Sequence, residues 1–223
     1  MGKVIILPET TRNPISLIGH LAGICWGADT TDPAKNYKRG LDCIESGHGR
    51  TLEFPDVYMK LDGYSARVIR EWYTHIGCLP TRLQESTRYI NYENFGYIMP
   101  PSIEAKAEAK NRYVTLMDAI RRTAKALEEL GIPREDVANV LPLGMHTGIV
   151  DKRNLRNLID MSRNRMCNRA LWEFRDMFDD ICVALRDYSD EWRTIVETQF
   201  YAKCEATGYC TEKRGCGKYP KKG

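Results

Sequence analysis

The chain has 223 residues, of which 43% are hydrophobic and 28% charged, enough to bury one substantial core. That composition excludes intrinsic disorder and a collagen-like or coiled-coil fibre. Thirty-three Lys and Arg against thirty Asp and Glu leave a net charge of +3, so an anion site must be local rather than spread over the surface.

The first fifty residues join a short apolar opening at Val4–Leu7 to a Gly-rich piece. Asp32 before Pro33 reads as a helix N-cap and Gly47 after Ser46 as its stop, which predicts a helix over 33–46. In EFPDVYMKLDGYS, Val57, Met59 and Leu61 alternate with Tyr58, Lys60 and Asp62, the period of a half-buried strand. Ser65 caps a helix expected to run through Ile76, with Gly77 and Pro80 ending it. Residues 81–92 are polar and aromatic together, as suits a segment lining a site, and FGYIMPP follows as an extended piece.

A long helix is expected over 102–130, because Tyr113, Met117, Ile120, Ala124 and Leu127 recur at helical spacing before Gly131 and Pro133. A further helical stretch from Pro133 ends near LPLG, and HTGIVDKR is extended. Asn154 then starts another long helix, with Ala170, Phe174, Met177, Ile181 and Ala184 as its apolar line. No repeat and no linker is visible, so residues 1–223 read as a single α/β (α+β) domain with a basic, Cys-containing tail at about 201–223.

No apolar run reaches the roughly 20 residues of a membrane span, and the opening run is too short for a signal peptide, so a soluble, cytoplasmic protein is expected. Thiols are then the default state of the eight cysteines. Cys204, Cys210 and Cys216 lack the close pair usual in zinc fingers and need a fourth ligand from elsewhere. A metal and a disulfide stay open for them, free thiols are preferred, no metal is assigned, and no catalytic role is expected.

The densest chemistry lies in 151–175, where Arg153, Arg156, Arg163, Arg165, Arg169 and Arg175 are interspersed with Asn154, Asn157, Asn164 and Asn168. A planar guanidinium matches phosphate, carboxylate or an imide edge, each charge-assisted contact contributing about 1.5–3 kcal/mol. A solvated amphipathic helix, with Glu173 and Asp176 pairing some arginines, accounts for the same pattern. Ser86, Arg88 and Tyr89 bring a hydroxyl, a cation and a ring into one tight segment, the kit for a nucleotide phosphate and base. A polar turn before a strand is the plainer alternative. Ser86 has no His or Lys at a spacing that marks a base, so a binding role is the economical one. His48, Glu53, Arg70, Glu71 and His75 flank a strand and helix. There is no glycine-loop dinucleotide motif, no P-loop, no HExxH and no CxxC.

Taken together these segments resemble the flavin-dependent thymidylate synthase family across about residues 47–175. Gly47, His48, Glu53, Gly63 and Ser65 follow the family's order, and Ser86, Arg88 and Tyr89 meet its Ser-x-Arg-Tyr signature. VLPL at 140–143 and Thr147 also match, as do Asn154 with Arg156, and Arg165 with Ala170, Trp172 and Glu173. The departures are Thr74, His75 and Ile76 in place of Arg-His-Arg, which leaves Arg82 or Arg70 to supply the charge; Ala138 or Asn139 where an arginine is common; and Glu71 where a Gln is common.

The resemblance implies a small sheet with long helices, a homotetramer with active sites shared between subunits, and no membrane or nucleic-acid partner. It implies reductive methylation of dUMP to dTMP, with bound FAD, methylenetetrahydrofolate as one-carbon donor and NADPH as reductant. Arg165 is then the catalytic group on the pyrimidine, with Glu71, Ser86, Arg88 and Tyr89 also on the substrate. His48, His75, Arg82, Asn154, Arg156 and Arg169 fall to the cofactor or folate. One-carbon modification of a related pyrimidine nucleotide is the near alternative. Nucleic-acid binding through the Arg-rich helix is the distant one.

Overall fold

A computed structural model describes residues 2–89 and 93–222. Four strands form one sheet in the order β1-β2-β4-β3. They are β1 (Lys3–Ile6), β2 (Asp56–Ser65), β3 (Thr81–Gln84) and β4 (His146–Asn154). By compactness the chain divides into two units.

The larger unit holds Val4–Lys60, Thr74–Arg82 and Val150–Gly223. Its helices are α1 (Pro14–Cys25) and α2 (Pro33–Glu45) near the start of the chain. Asp32 caps α2 by accepting from the backbone N–H of Ala34 and Lys35, and Gly47 leaves the helix at φ +72°, both as the sequence predicts. The sequence pattern does not mark α1, because Gly19 and Gly23 interrupt it. Here glycine is a packing requirement: a Cβ on Gly19 would lie 1.8 Å from the Asn36 carbonyl oxygen, and one on Gly40 1.9 Å from that of Ile15. Val57 and Met59 of β2 are fully buried, in the predicted register.

The smaller unit holds Met1–Lys3, Leu61–Tyr73 and Leu83–Ile149. Its helices are α3 (Ala66–Trp72), α4 (Pro101–Glu104), α5 (Ala107–Glu129) and the single turn α6 (Arg134–Val137). Met117 of α5 packs with Phe95 and Met145, and Tyr97, Tyr113, Ile120 and Leu141 close around them. The guanidinium of Arg121 donates to the Phe95 carbonyl and lies 5.3 Å over the Phe95 and Tyr97 rings.

Three expected helices end differently. Ser65 caps α3 through the Val68 N–H, but the helix stops at Trp72 rather than reaching Ile76. Its apolar face is complete with Val68, Ile69 and Trp72, and Ile76 is 67% exposed. The Gly77 carbonyl instead accepts from Asn157 Nδ2 at 2.7 Å. The 102–130 helix is broken at 105–106 into α4 and α5. The helix from Asn154 is broken at 166–171 into α7 (Leu155–Arg165) and α8 (Trp172–Tyr188), so Ala170 lies in a turn. Arg175 Nη1 donates to the carbonyls of Asn168 and Ala170, satisfying groups a continuous helix would have paired itself. After α8 come α9 (Asp190–Gln199) and α10 (Lys203–Thr207).

Candidate active site

In the larger unit the second half of β4, from Val150, delivers the chain into α7, and Asp151 and Arg153 on it are buried. Arg153, 1% exposed, makes a two-pronged pair with Asp151 through Nε at 2.5 Å and Nη2 at 2.8 Å. Its Nη1 donates to Asn157 Oδ1 at 2.6 Å, and Asn157 in turn holds Gly77. Sequence reading missed this network, although Asp151 and Arg153 stand at strand spacing. Its effect is to tie the start of α7 to the loop that carries His75.

At the other end of α7, Arg165 Nε donates to His75 Nε2 at 2.7 Å. Arg165 Cζ lies 4.5 Å over the Phe174 ring, and His75 meets the same ring edge-on at 5.8 Å. Burial, then the charges of Arg165 and Arg153, push the His75 pKa down to about 4, so at neutral pH the imidazole is uncharged and its Nε2 lone pair accepts. His75 therefore acts on the guanidinium, a contact that the motif order did not reveal.

Arg163, Arg165 and Arg169 line one cavity of about 330 Å³, open at one side, with Cys167 and Ala170 from the 166–171 turn. Its opposite wall is the tail, through Lys203, Cys204, Cys210, Thr211 and Glu212. Arg169 donates to the Arg214 carbonyl at 2.5 Å and faces Glu212 at 3.8 Å. Burial first, then the neighbouring Cys167, Glu205 and Cys210, raise the Cys204 thiol above its ordinary pKa.

A second cationic locus forms at the N-terminal end of α7. Asn154 caps the helix, its Oδ1 accepting from the Asn157 N–H at 3.0 Å, so only its amide NH₂ can serve a ligand as donor. Arg156 Nη1 pairs with Glu53 at 2.6 Å, Arg50 approaches the same carboxylate at 3.5 Å, and the Arg156 guanidinium passes close to Gly49. His48 beside them is exposed, bonded through Nδ1 to Ser46 Oγ at 2.7 Å, and meets the Trp26 indole edge-on at 6.4 Å. The donors here are two guanidinium groups, an imidazole and an exposed indole, a set that fits an anionic, aromatic dinucleotide such as FAD. Arg82 is in the same unit, half-buried in β3.

Glu71, Ser86, Arg88 and Tyr89 belong to the smaller unit. Ser86 opens a tight turn in which its Oγ accepts from the Arg88 N–H at 3.3 Å and its carbonyl from the Tyr89 N–H at 3.1 Å. Arg88 stacks 5.4 Å over the Tyr89 ring, and both side chains are exposed. Beside the turn, Glu85 Oε2 accepts from the Gly148 N–H at 2.9 Å, which anchors it to β4. Ile90, Asn91 and Tyr92 of the expected site-lining segment lie outside the described residues.

The family model of the thymidylate synthase complementing protein matches residues 7–188. The chain belongs to that family. A relative in the family is the flavin-dependent thymidylate synthase of Nitratidesulfovibrio vulgaris, 32% identical over 187 residues that span 79% of this chain and 74% of the relative. That of Geobacter sulfurreducens is 28% identical over 180 residues, 77% of each chain. A Helicobacter pylori thymidylate synthase X solved with FAD and dUMP shares the fold, with a TM-score of 0.67, 18% identity and coverage of 88% of this chain and all of that one. The segment that matches the family carries Arg165, His75, Arg156 and the Ser86 turn; the tail lies beyond it.

Proposed function

We propose that the protein catalyses the flavin-dependent reductive methylation of dUMP to dTMP, taking its carbon from methylenetetrahydrofolate and its electrons from NADPH. The observation that carries this is Arg165, fixed by His75 and Phe174 inside a cavity shared with Arg163 and Arg169. Bound FAD supplies hydride chemistry here. What the chain's own residues contribute is placement and charge.

Arg165 grips the uracil edge. With its Nε committed to neutral His75 and its face on Phe174, the guanidinium plane is set before substrate arrives, so orientation costs little at the moment of reaction. Arg88 and Ser86 take the nucleotide phosphate and sugar, Tyr89 offers a ring face, and Glu71 serves the substrate as an acceptor. Arg156, His48 and the Asn154 amide hold FAD, with Arg82, Arg169 and His75 on the cofactor or folate side. The cluster of arginines that the near-neutral chain concentrates at α7 suits ligands that are all anionic.

Exposed apolar side chains, Trp26 at 58%, Phe54 at 55%, Leu79 at 88% and Leu83 at 73%, support a homotetramer with active sites shared between subunits. A cytoplasmic place is part of the same proposal; among the described residues no helix is long and apolar enough to cross a membrane. The test is conversion of dUMP with methylenetetrahydrofolate labelled in its methylene carbon, in the presence of NADPH. Label appearing in dTMP supports the reading. Label in another pyrimidine nucleotide, or none in any product while flavin is bound, overturns it.

A further inference from the structure

Half of the eight cysteines converge on one place. Cys43 and Cys182 are buried as small core residues, whereas Cys25 and Cys78 stand apart from each other along the chain. Cys167 of the 166–171 turn and Cys204, Cys210 and Cys216 of the tail bound a single cleft of about 10 Å³, the space of one water-sized sphere. The fourth sulfur that the tail's own spacing lacks is Cys167.

The tail needs a staple. No residue from Lys203 to Lys222 is buried, so no apolar core orders these residues. The contacts that shape the segment are polar and exposed: Lys218 on Glu205 at 2.5 Å, Arg169 on the Arg214 carbonyl, and the Cys210 N–H on the Pro220 carbonyl at 2.7 Å. Exposed pairs of this kind contribute little to order. Asn168 Nδ2 donates to Cys216 Sγ at 3.6 Å, the type of N–H···S contact that orients a ligating sulfur. Arg169 and Lys218 line the same cleft and offset the charge of gathered thiolates. Glu212, the carboxylate beside them, faces Arg169, which leaves the four sulfurs as the donor set.

We propose that Cys167, Cys204, Cys210 and Cys216 form a tetrahedral four-sulfur site for a zinc-class divalent cation, which staples the tail onto the turn behind Arg165. As placed, no three ligating side chains among the described residues stand close enough to share an ion, so binding draws the sulfurs inward. Beyond the five residues of α10 the tail is loop, so that movement disrupts no long element. Four S–H bonds are replaced by four sulfur–metal bonds and four protons pass to solvent, with no change of oxidation state. Three of the four sulfurs belong to the tail, beyond the segment that matches the family, and Cys167 lies within it; Cys167, Cys204 and Cys210 also line the Arg165 cavity, so the staple shapes its far wall.

The test is metal analysis of the untagged, full-length protein, followed by release of bound metal with a mercurial in the presence of a chromogenic chelator. The expected result is about one zinc per chain, released as four thiols are modified. Cys216→Ser and Cys210→Ser should each lower zinc affinity about tenfold or more, as loss of a ligand does. Should either variant fold poorly, zinc chelation of the unaltered protein gives the same answer, by quickening protease cleavage within 203–222 while cleavage elsewhere is unchanged. Metal-free protein in which all four thiols react freely with Ellman's reagent would overturn the proposal. So would disulfide-linked tail peptides in the purified protein.

Discussion

Arg165 and His75, ninety positions apart in sequence, share a 2.7 Å hydrogen bond in which the guanidinium Nε donates to the imidazole Nε2. The direction of that bond requires a neutral histidine, and the surroundings enforce one, because burial and two arginines oppose a third positive charge. The same Phe174 ring backs both partners. An arginine held on two sides in this way presents its hydrogen-bonding edge in one orientation, which is what recognition of a planar pyrimidine asks of it.

The depressed His75 pKa makes stability depend on pH. The folded protein takes up this proton at about pH 4 and the unfolded chain near 6.5, so the unfolded state binds more protons between those values. His75's contribution is complete above pH 6.5 and is lost as pH falls toward 4. Melting temperature measured from pH 7 to pH 4 should fall through this window, and His75→Gln should flatten that part of the curve. An unchanged slope in the variant would show that His75 titrates normally.

Arg156 should separate flavin binding from nucleotide binding. Removing a charge-assisted contact of about 1.5–3 kcal/mol weakens a ligand by one to two orders of magnitude. Arg156→Ala should therefore lose FAD affinity by about that factor, measured by flavin fluorescence titration. Equal flavin affinity in variant and parent would remove Arg156 from the cofactor site.

The Asp151–Arg153 pair is fully buried, so deleting one partner strands a charge without solvent. Arg153→Met should cost about 3–5 kcal/mol in denaturant unfolding, and Asp151→Leu combined with Arg153→Met should recover much of it. The single variant should also loosen the Gly77 loop that Asn157 holds, visible as faster amide exchange at residues 74–79.

Helix packing gives a separate check. A methyl group at Gly40 meets the Ile15 carbonyl at 1.9 Å, so Gly40→Ala should cost about 1–3 kcal/mol, although alanine is the better helix former. Unaltered thermal stability would mean that α1 and α2 do not pack backbone to backbone.

Much of the scaffold is readable locally. Asp32-Pro33 and Gly47 bracket α2, the Val57-Met59-Leu61 alternation marks β2, and Asn154 caps α7, because caps and periods are set by neighbours within a few residues. What escapes is set by distant partners. Gly19 reads as punctuation until Asn36 is seen against it, the chain at Gly77 is held by Asn157 rather than by a helix, and Arg175 takes up the carbonyls freed by the break before α8. The site divides in the same way. Arg165, His75 and Arg156 are named by motif, yet Phe174 as a shared backing and the tail as the far wall of the Arg165 cavity follow only from tertiary contacts.

The most direct measurement is turnover of dUMP by Arg165→Ala beside its flavin content. The protein already holds this guanidinium against His75 and Phe174, so its loss should remove transition-state stabilisation and leave the FAD locus at Arg156 intact. The account predicts a fall in kcat of about a hundredfold or more, with FAD bound at the parental level. Turnover near that of the parent, or loss of flavin in step with loss of activity, would contradict it.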